Sequence, residues 1–286
     1  MAYWQWGDAS AGAVVVCVHG LSRQGRDFDT LARALCARST TPLRVVCPDV
    51  VGRGRSDWLK DPMAYQIPTY AGDMLALLAQ LQPRRLDWVG TSMGGLIGMV
   101  LCGQPGLPLP VAVRRLVLND ISPRIRWEGL VRIASYLGQT GRFADLQQAA
   151  DAMWAISSGF GPHTSEQWLD LSRAMVKPLD DGSGALTLHY DPAIAVPIRS
   201  LTAESAAQGE AVMWQLYDAI HADTLLLRGA QSDLLSSETA QAMVDRGPHA
   251  RLVTFAGIGH APTLVTTDQV DCVVDFLLEA EPADRA

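Results

Sequence analysis

The 286-residue sequence lacks several features that would assign it quickly. No apolar run approaches the ~18 residues that a membrane span requires, so no membrane partner is expected. No block of Lys and Arg stands out, and the formal net charge is −7. A surface of that sign repels phosphate backbones and acidic lipid headgroups, which argues against nucleic acid as a partner. Cysteine is scarce: Cys17, Cys36, Cys47, Cys102 and Cys272 are odd in number, scattered, and mostly set in apolar runs. That usage fits buried thiols in a reducing compartment, not a disulfide frame. The opening Met1-Ala2-Tyr3-Trp4-Gln5-Trp6-Gly7-Asp8 has no basic stretch followed by an apolar one, so no secretory signal is read and a cytoplasmic location is expected. There is no His-x-x-x-His, no Cys pair and no carboxylate cluster at ligand spacing, so no metal is expected. Gly52 and Gly54 are not followed by Gly-Lys-Ser/Thr and make no dinucleotide fingerprint, which removes the main nucleotide motifs. The reading is cofactor-free.

What is present is a soluble composition, 48% apolar and 19% charged, on a chain long enough for one large domain or a core with an insertion. Short β-branched runs alternate with helix-period segments through the first 120 residues. Strands are predicted at Ala13 to Val18, Arg44 to Cys47, Leu86 to Val89 and Arg115 to Leu118, with helices at Phe28 to Ala37, Tyr70 to Leu81 and Leu96 to Cys102. Such alternation predicts a mostly parallel sheet flanked by helices. From about Ser122 to Tyr217 no strand is read, only helix-period pieces broken at Gly141, Gly159 to Pro162, Pro178 and Pro192. Strands return at Thr224 to Leu227 and Arg251 to Phe255, before a helix from about Gln269 to Leu278. The expectation is an α/β core of residues 1–121 and 218–286 with a helical lid of residues 122–217. Glu281 to Ala286 read as a loose tail.

The chemistry is concentrated at Gly90-Thr91-Ser92-Met93-Gly94, between an apolar strand and a helix. Gly-x-Ser-x-Gly at that junction is a nucleophile elbow, a turn so tight that glycine is needed on both sides of a raised serine. A serine hydroxyl needs a base, and the base needs a carboxylate. Of six histidines, His260 in Gly257-Ile258-Gly259-His260-Ala261-Pro262 follows the last strand, at the sheet edge where the serine emerges. His163, His189, His221 and His249 read as structural or solvated. Two carboxylates satisfy the chain order. Asp233 follows the penultimate strand on a longer glycine-led loop and is preferred. Asp120, just past the strand after the elbow, is the alternative, and otherwise reads as a cap on a helix begun by Ser122-Pro123. Oxyanion donors are expected from the backbone N–H of Met93 and of Leu21, in His19-Gly20-Leu21-Ser22-Arg23. His19 reads as a brace for that loop.

These segments resemble the α/β-hydrolase superfamily over nearly the whole chain. His19-Gly20 is similar to its oxyanion loop, and Asp49 through Ser56 to its D-x-x-G-x-G-x-S turn. Gly90 to Gly95 is similar to the elbow, and Asp233 and Gly259-His260 to the acid and base loops. The Leu-Val-Leu-Asn-Asp-Ile-Ser-Pro run at 116–123 resembles small bacterial carboxylesterases and hydrolases of aromatic degradation. A serine nucleophile excludes the dehalogenase and epoxide-hydrolase branches, which use aspartate there. The resemblance implies hydrolysis of carboxylic esters through an acyl-enzyme, with carbon–carbon, lactone or thioester cleavage, or cofactor-free perhydrolase, lyase or oxygenase chemistry, as alternatives on the same residues. A ligand-binding sensor is the non-enzyme alternative. The partner expected is a small-molecule ester, and monomer and homodimer are both compatible with the sequence. Trp127, Trp154, Phe160, Trp168 and Trp214, with Met153 and Met175, are candidates to line an apolar acyl pocket. Arg124 and Arg126 are candidates to meet a substrate carboxylate.

The sharpest consequence concerns Ser92. A fluorophosphonate is expected to add one adduct, mapped to the peptide carrying Ser92 by mass spectrometry and absent from Ser92→Ala.

Overall fold

The computed structural model describes residues 1–280; the tail expected at Glu281 to Ala286 lies outside them. Along the chain come β1 (Tyr3–Gly7), β2 (Ala13–Val18), α1 (Asp29–Arg38), β3 (Arg44–Pro48), α2 (Ile67–Leu81), β4 (Arg85–Thr91), α3 (Met93–Gly103) and β5 (Val113–Asn119). Next are α4 (Trp127–Tyr136), α5 (Leu146–Ser157), α6 (Ser165–Arg173), β6 (Val176–Pro178), β7 (Leu186–Leu188), α7 (Ala195–Arg199) and α8 (Ala203–Asp218). The chain closes with β8 (Asp223–Gly229), α9 (Ser237–Asp245), β9 (Arg251–Phe255) and α10 (Thr267–Leu278).

Seven strands form one sheet in the order β1-β3-β2-β4-β5-β8-β9. Only β1 runs antiparallel to its neighbour, β3. The other neighbours are parallel, which matches the α/β alternation. Strands buried on both faces carry continuous apolar runs, and β2 shows how the pleat divides them. Val14, Val16 and Val18 face one side with Leu86 and Trp88. Val15 and Cys17 face the other with Phe28, Leu31 and Leu35 before and on α1, and with Val273, Val274 and Leu277 on α10. On α2, Tyr70, Met74, Leu77 and Leu78 are buried at helical spacing.

Three expectations change here. β1 was not anticipated, because its Trp4 and Trp6 are only half-buried on an edge strand whose register comes from β3. The segment between β5 and β8 is helical but also holds β6 and β7, an antiparallel pair of three residues each; runs that short carry too little alternation to be read. No helix starts at Ser122-Pro123. The next one, α4, begins at Trp127 with Arg126 as its N-cap, so Asp120 caps nothing.

Trp88 sits at the centre of β4, fully buried, with its indole N–H donating to the Gly94 carbonyl at 3.1 Å. It ties the strand before the elbow to the helix after it. Trp88→Ala should lower the free energy of unfolding by about 3–5 kcal/mol, read from chemical denaturation.

Candidate active site

The carboxyl ends of β4, β5 and β9 converge on one edge of the sheet. The β4–β5 register sets Thr91 opposite Asn119, so the next residues, Ser92 and Asp120, emerge side by side. The Ser92 N–H donates to the Asn119 carbonyl (3.0 Å) and the Asp120 N–H to the Leu227 carbonyl (2.8 Å). Ser92 is held at φ 51, ψ −116, a conformation that L residues adopt only when their surroundings force it. A Cβ on Gly90 would run into Gly94, and one on Gly94 into the Val18 carbonyl; this crossing is why glycine flanks the serine.

His260 Nε2 lies 3.0 Å from Ser92 Oγ, and its Nδ1 lies 2.7 Å from Asp120 Oδ2. The loop carrying His260 is anchored by Asn119, whose side-chain amide donates to Thr91 Oγ1 (2.9 Å) and to the Pro262 carbonyl (2.8 Å). Asp120 is fully buried. Besides His260 it accepts from the Gly229 N–H (2.8 Å) and the Ser232 hydroxyl (2.5 Å), the kind of satisfaction a buried carboxylate requires.

The structure therefore corrects the preference for Asp233. That residue lies beyond a tight turn closed by Ser232 N–H to the Gly229 carbonyl (2.9 Å), and its carboxylate pairs with Arg132 of α4 at 2.5 and 3.0 Å. Burial pushes the Asp233 pKa up, but the Arg132 bonds and charge outweigh it and hold the group below the usual carboxylate value. The extra length of its loop is used to turn Ser232 onto Asp120. The decisive feature was legible only as adjacency: β5 neighbours β4 in the sheet, and β8 is one strand further away.

On the other side of Ser92, the Gly20 backbone approaches so closely that a Cβ there would stand 3.6 Å from Ser92 Cβ. Among the described residues neither the Leu21 nor the Met93 N–H has an acceptor, so both remain available to an oxyanion. His19 is fully buried, with Nδ1 donating to the Gly20 carbonyl (2.7 Å) and Nε2 accepting from the Val50 N–H (2.9 Å). Burial lowers its pKa to about 3, which keeps it neutral in this bracing role.

Ser92 and His260 open into a cavity of about 320 Å³, within the lower range of small-molecule sites. Phe160, Met153 and Met175 line it as expected, with Ile133, Leu137, Phe143 and Ile156. Trp127, Trp154, Trp168 and Trp214 do not. Trp127 is 38% exposed. Trp154 and Trp168 pack edge-to-face at 5.0 Å within the core of α5 and α6. Trp214 packs on Tyr217 and Arg246. A large ring on a helix finds its burial against neighbouring helices first. Arg124 lies 3.7 Å from Glu210 and neither it nor Arg126 reaches the cavity. The arginines that do are Arg23, in the loop after β2 and paired with Asp27, and Arg132 of α4. Among the described residues no His, Cys, Asp and Glu group suited to a metal ion is found.

A family model described as the alpha/beta hydrolase family matches residues 15–271. A 3-hydroxybutyrate-oligomer hydrolase from Cupriavidus necator is 48% identical over 98% of this chain and 93% of its own. A 2-hydroxymuconate semialdehyde hydrolase from a Pseudomonas species is 25% identical over 96% and 90%. The crystal structure of an alpha/beta hydrolase from Novosphingobium aromaticivorans superposes with a TM-score of 0.81 at 37% identity, covering 96% of this chain and 92% of that one.

The contact geometry distinguishes the two carboxylates. Asp120→Asn should lower kcat by roughly 10⁴-fold, as losing the carboxylate behind a histidine base does. Asp233→Asn should leave kcat within about tenfold; steady-state kinetics on one ester decides it.

Proposed function

Because this chain belongs to the alpha/beta hydrolase family and is an ester-bond-cleaving hydrolase, we propose that it cleaves short oligomers of 3-hydroxybutyrate through an acyl-enzyme on Ser92. The observation that carries the chemistry is the unbroken contact from Asp120 through His260 to Ser92. The substrate class rests on the 48% identical relative and on the cavity. Its walls combine aliphatic, sulfur and aromatic side chains, suited to a methyl-bearing polyester, while the two arginines at its edge are held by Asp27 and Asp233.

In this reading His260 takes the Ser92 proton as the oxygen attacks the ester carbonyl. Asp120 holds Nδ1 protonated and stabilises the imidazolium. The N–H groups of Leu21 and Met93 receive the negative charge on the carbonyl oxygen. Collapse breaks the ester C–O bond, and His260 gives its proton to the departing hydroxyl of the next unit. Water, deprotonated by His260, then attacks the acyl-enzyme and releases a carboxylic acid together with free Ser92. Residues 122–217 act as the lid. They supply much of the cavity wall, and they clasp the base loop through His163 Nε2 and the Thr263 hydroxyl (2.8 Å). Excluding water from this cavity strengthens the charge interactions on which the reaction depends.

Purified protein is expected to convert 3-hydroxybutyrate dimer and trimer to monomer, followed by chromatography, and Ser92→Ala to abolish it. Brisk hydrolysis of p-nitrophenyl esters with no monomer released from either oligomer would refute the substrate class while leaving the serine chemistry intact.

A further inference from the structure

Behind the two amides assigned to the oxyanion lies a charge that the reaction so far does not use. Arg53, between Gly52 and Gly54, is completely buried. Its Nε donates to the Leu21 carbonyl at 2.7 Å, and its Nη1 donates to the Val51 carbonyl (2.7 Å) and the Tyr70 hydroxyl (3.0 Å). Its Nη2 stands 3.6 Å from Met93 Sδ. One guanidinium thus grips both residues whose N–H groups face the reacting carbonyl. The turn that carries it is itself stitched to the stretch just after β7 in the insertion: the Gly54 N–H donates to the His189 carbonyl (3.0 Å) and the Asp191 N–H to the Gly52 carbonyl (2.7 Å).

The charge balance is unusual. An arginine keeps its proton even when buried, and a buried cation ordinarily has a carboxylate against it. Among the described residues no carboxylate oxygen lies within 4.0 Å of the Arg53 guanidinium. Asp191 acts on it from farther away and is committed elsewhere, accepting from the Tyr65 hydroxyl (2.6 Å) and the Ala193 N–H (2.9 Å). Instead, the rings of Tyr65 and Tyr70 flank the guanidinium, 5.7 and 5.0 Å from Cζ to centroid. A neutral side chain could staple the turn to the oxyanion loop without the cost of desolvating a cation. The charge becomes useful when a negative charge forms on the substrate in front of it.

We propose that Arg53 is a positioning residue of the oxyanion hole, fixing Leu21 and Met93 from behind and placing a positive charge with no carboxylate in contact where the tetrahedral intermediate becomes anionic. The neutral bound ester gains little from that charge and the intermediate gains more, so the effect belongs in kcat.

The proposal rests on Ser92 as nucleophile and on these amides as donors, but not on the oligomer substrate, so p-nitrophenyl acetate serves as the assay. Arg53→Met and Arg53→Lys are compared with the parent for kcat, KM, thermal midpoint, and inhibition by two ligands. One is a trifluoromethyl ketone, which adds to the serine as an anionic hemiketal; the other is the matching unreactive amide, which stays neutral. In Arg53→Met, kcat and trifluoromethyl ketone affinity should each fall by about 10²-fold, the size of losing one oxyanion donor. KM and amide affinity should hold within about threefold, and Arg53→Lys should recover part of the loss. Unchanged kcat and ketone affinity in Arg53→Met would overturn the proposal. So would equal losses for ketone and amide, or failure of both variants to fold, since each marks a purely structural role. A Ser92→Ala protein that keeps its turnover would instead remove the underlying serine reading.

Discussion

A hydrogen-bonded line from Asp120 through His260 to Ser92 depends on the register of two neighbouring parallel strands. Because β4 and β5 pair so that Thr91 faces Asn119, the strands end level and deliver a hydroxyl and a carboxylate side by side. The imidazole is lowered between them from the loop after β9, and Asn119 secures that loop by its hold on the Pro262 carbonyl. The elbow's strained serine, its flanking glycines and Trp88 beneath it maintain this alignment. A slip of one residue between β4 and β5 would send the carboxylate to the opposite face of the sheet.

Polar groups buried along the same edge carry the electrostatics. Asp120 accepts from three donors, which hold its carboxylate in place against one imidazole nitrogen. His19 is kept neutral by burial and spends both ring nitrogens on backbone groups. Arg53 has carbonyls, a tyrosine hydroxyl and a thioether around it. A negative charge behind the proposed base and a positive one behind the proposed oxyanion site make a field oriented along the direction in which charge moves during acyl transfer. Fixed dipoles and charges of this kind need no rearrangement when the reaction occurs.

Much of the cavity wall comes from a different part of the chain. The residues between β5 and β8 fold around their own small core of Ala149, Ala150, Met153, Trp168 and Leu171, then turn Ile133, Leu137, Phe143 and Phe160 toward the cavity. Arg132 reaches back across the boundary to Asp233, so one ion pair links α4 to the loop after β8. The contact from Asp120 through His260 to Ser92 is carried by the sheet, whereas most of the cavity wall is carried by the residues between β5 and β8. This division lets one arrangement of serine, histidine and aspartate serve many substrates.

The parallel core was legible because its signals are local. β-branched runs such as Ala13 to Val18 alternate with helix-period segments, and Gly-x-Ser-x-Gly fixes a strand-to-helix turn by sterics alone. Ser92 and His260 could be singled out because each sits directly after such a strand. The choice between Asp120 and Asp233 could not be made that way, since both leave the same edge and both fit the chain order. It turned on which strand lies next to β4 and on where Arg132 falls, and both are long-range facts. The tryptophans misled for a related reason: composition shows that large rings need burial but not against what, and Trp154 and Trp168 bury against each other. The partners of Arg53 likewise come from the start of α3, from α2 and from the loop after β2, three pieces distant in sequence. Sequence by itself determined the parallel core and the elbow that raises Ser92, through backbone sterics and apolar periodicity. Only the tertiary structure decided which charges meet, because a Coulombic partner is chosen by distance in space.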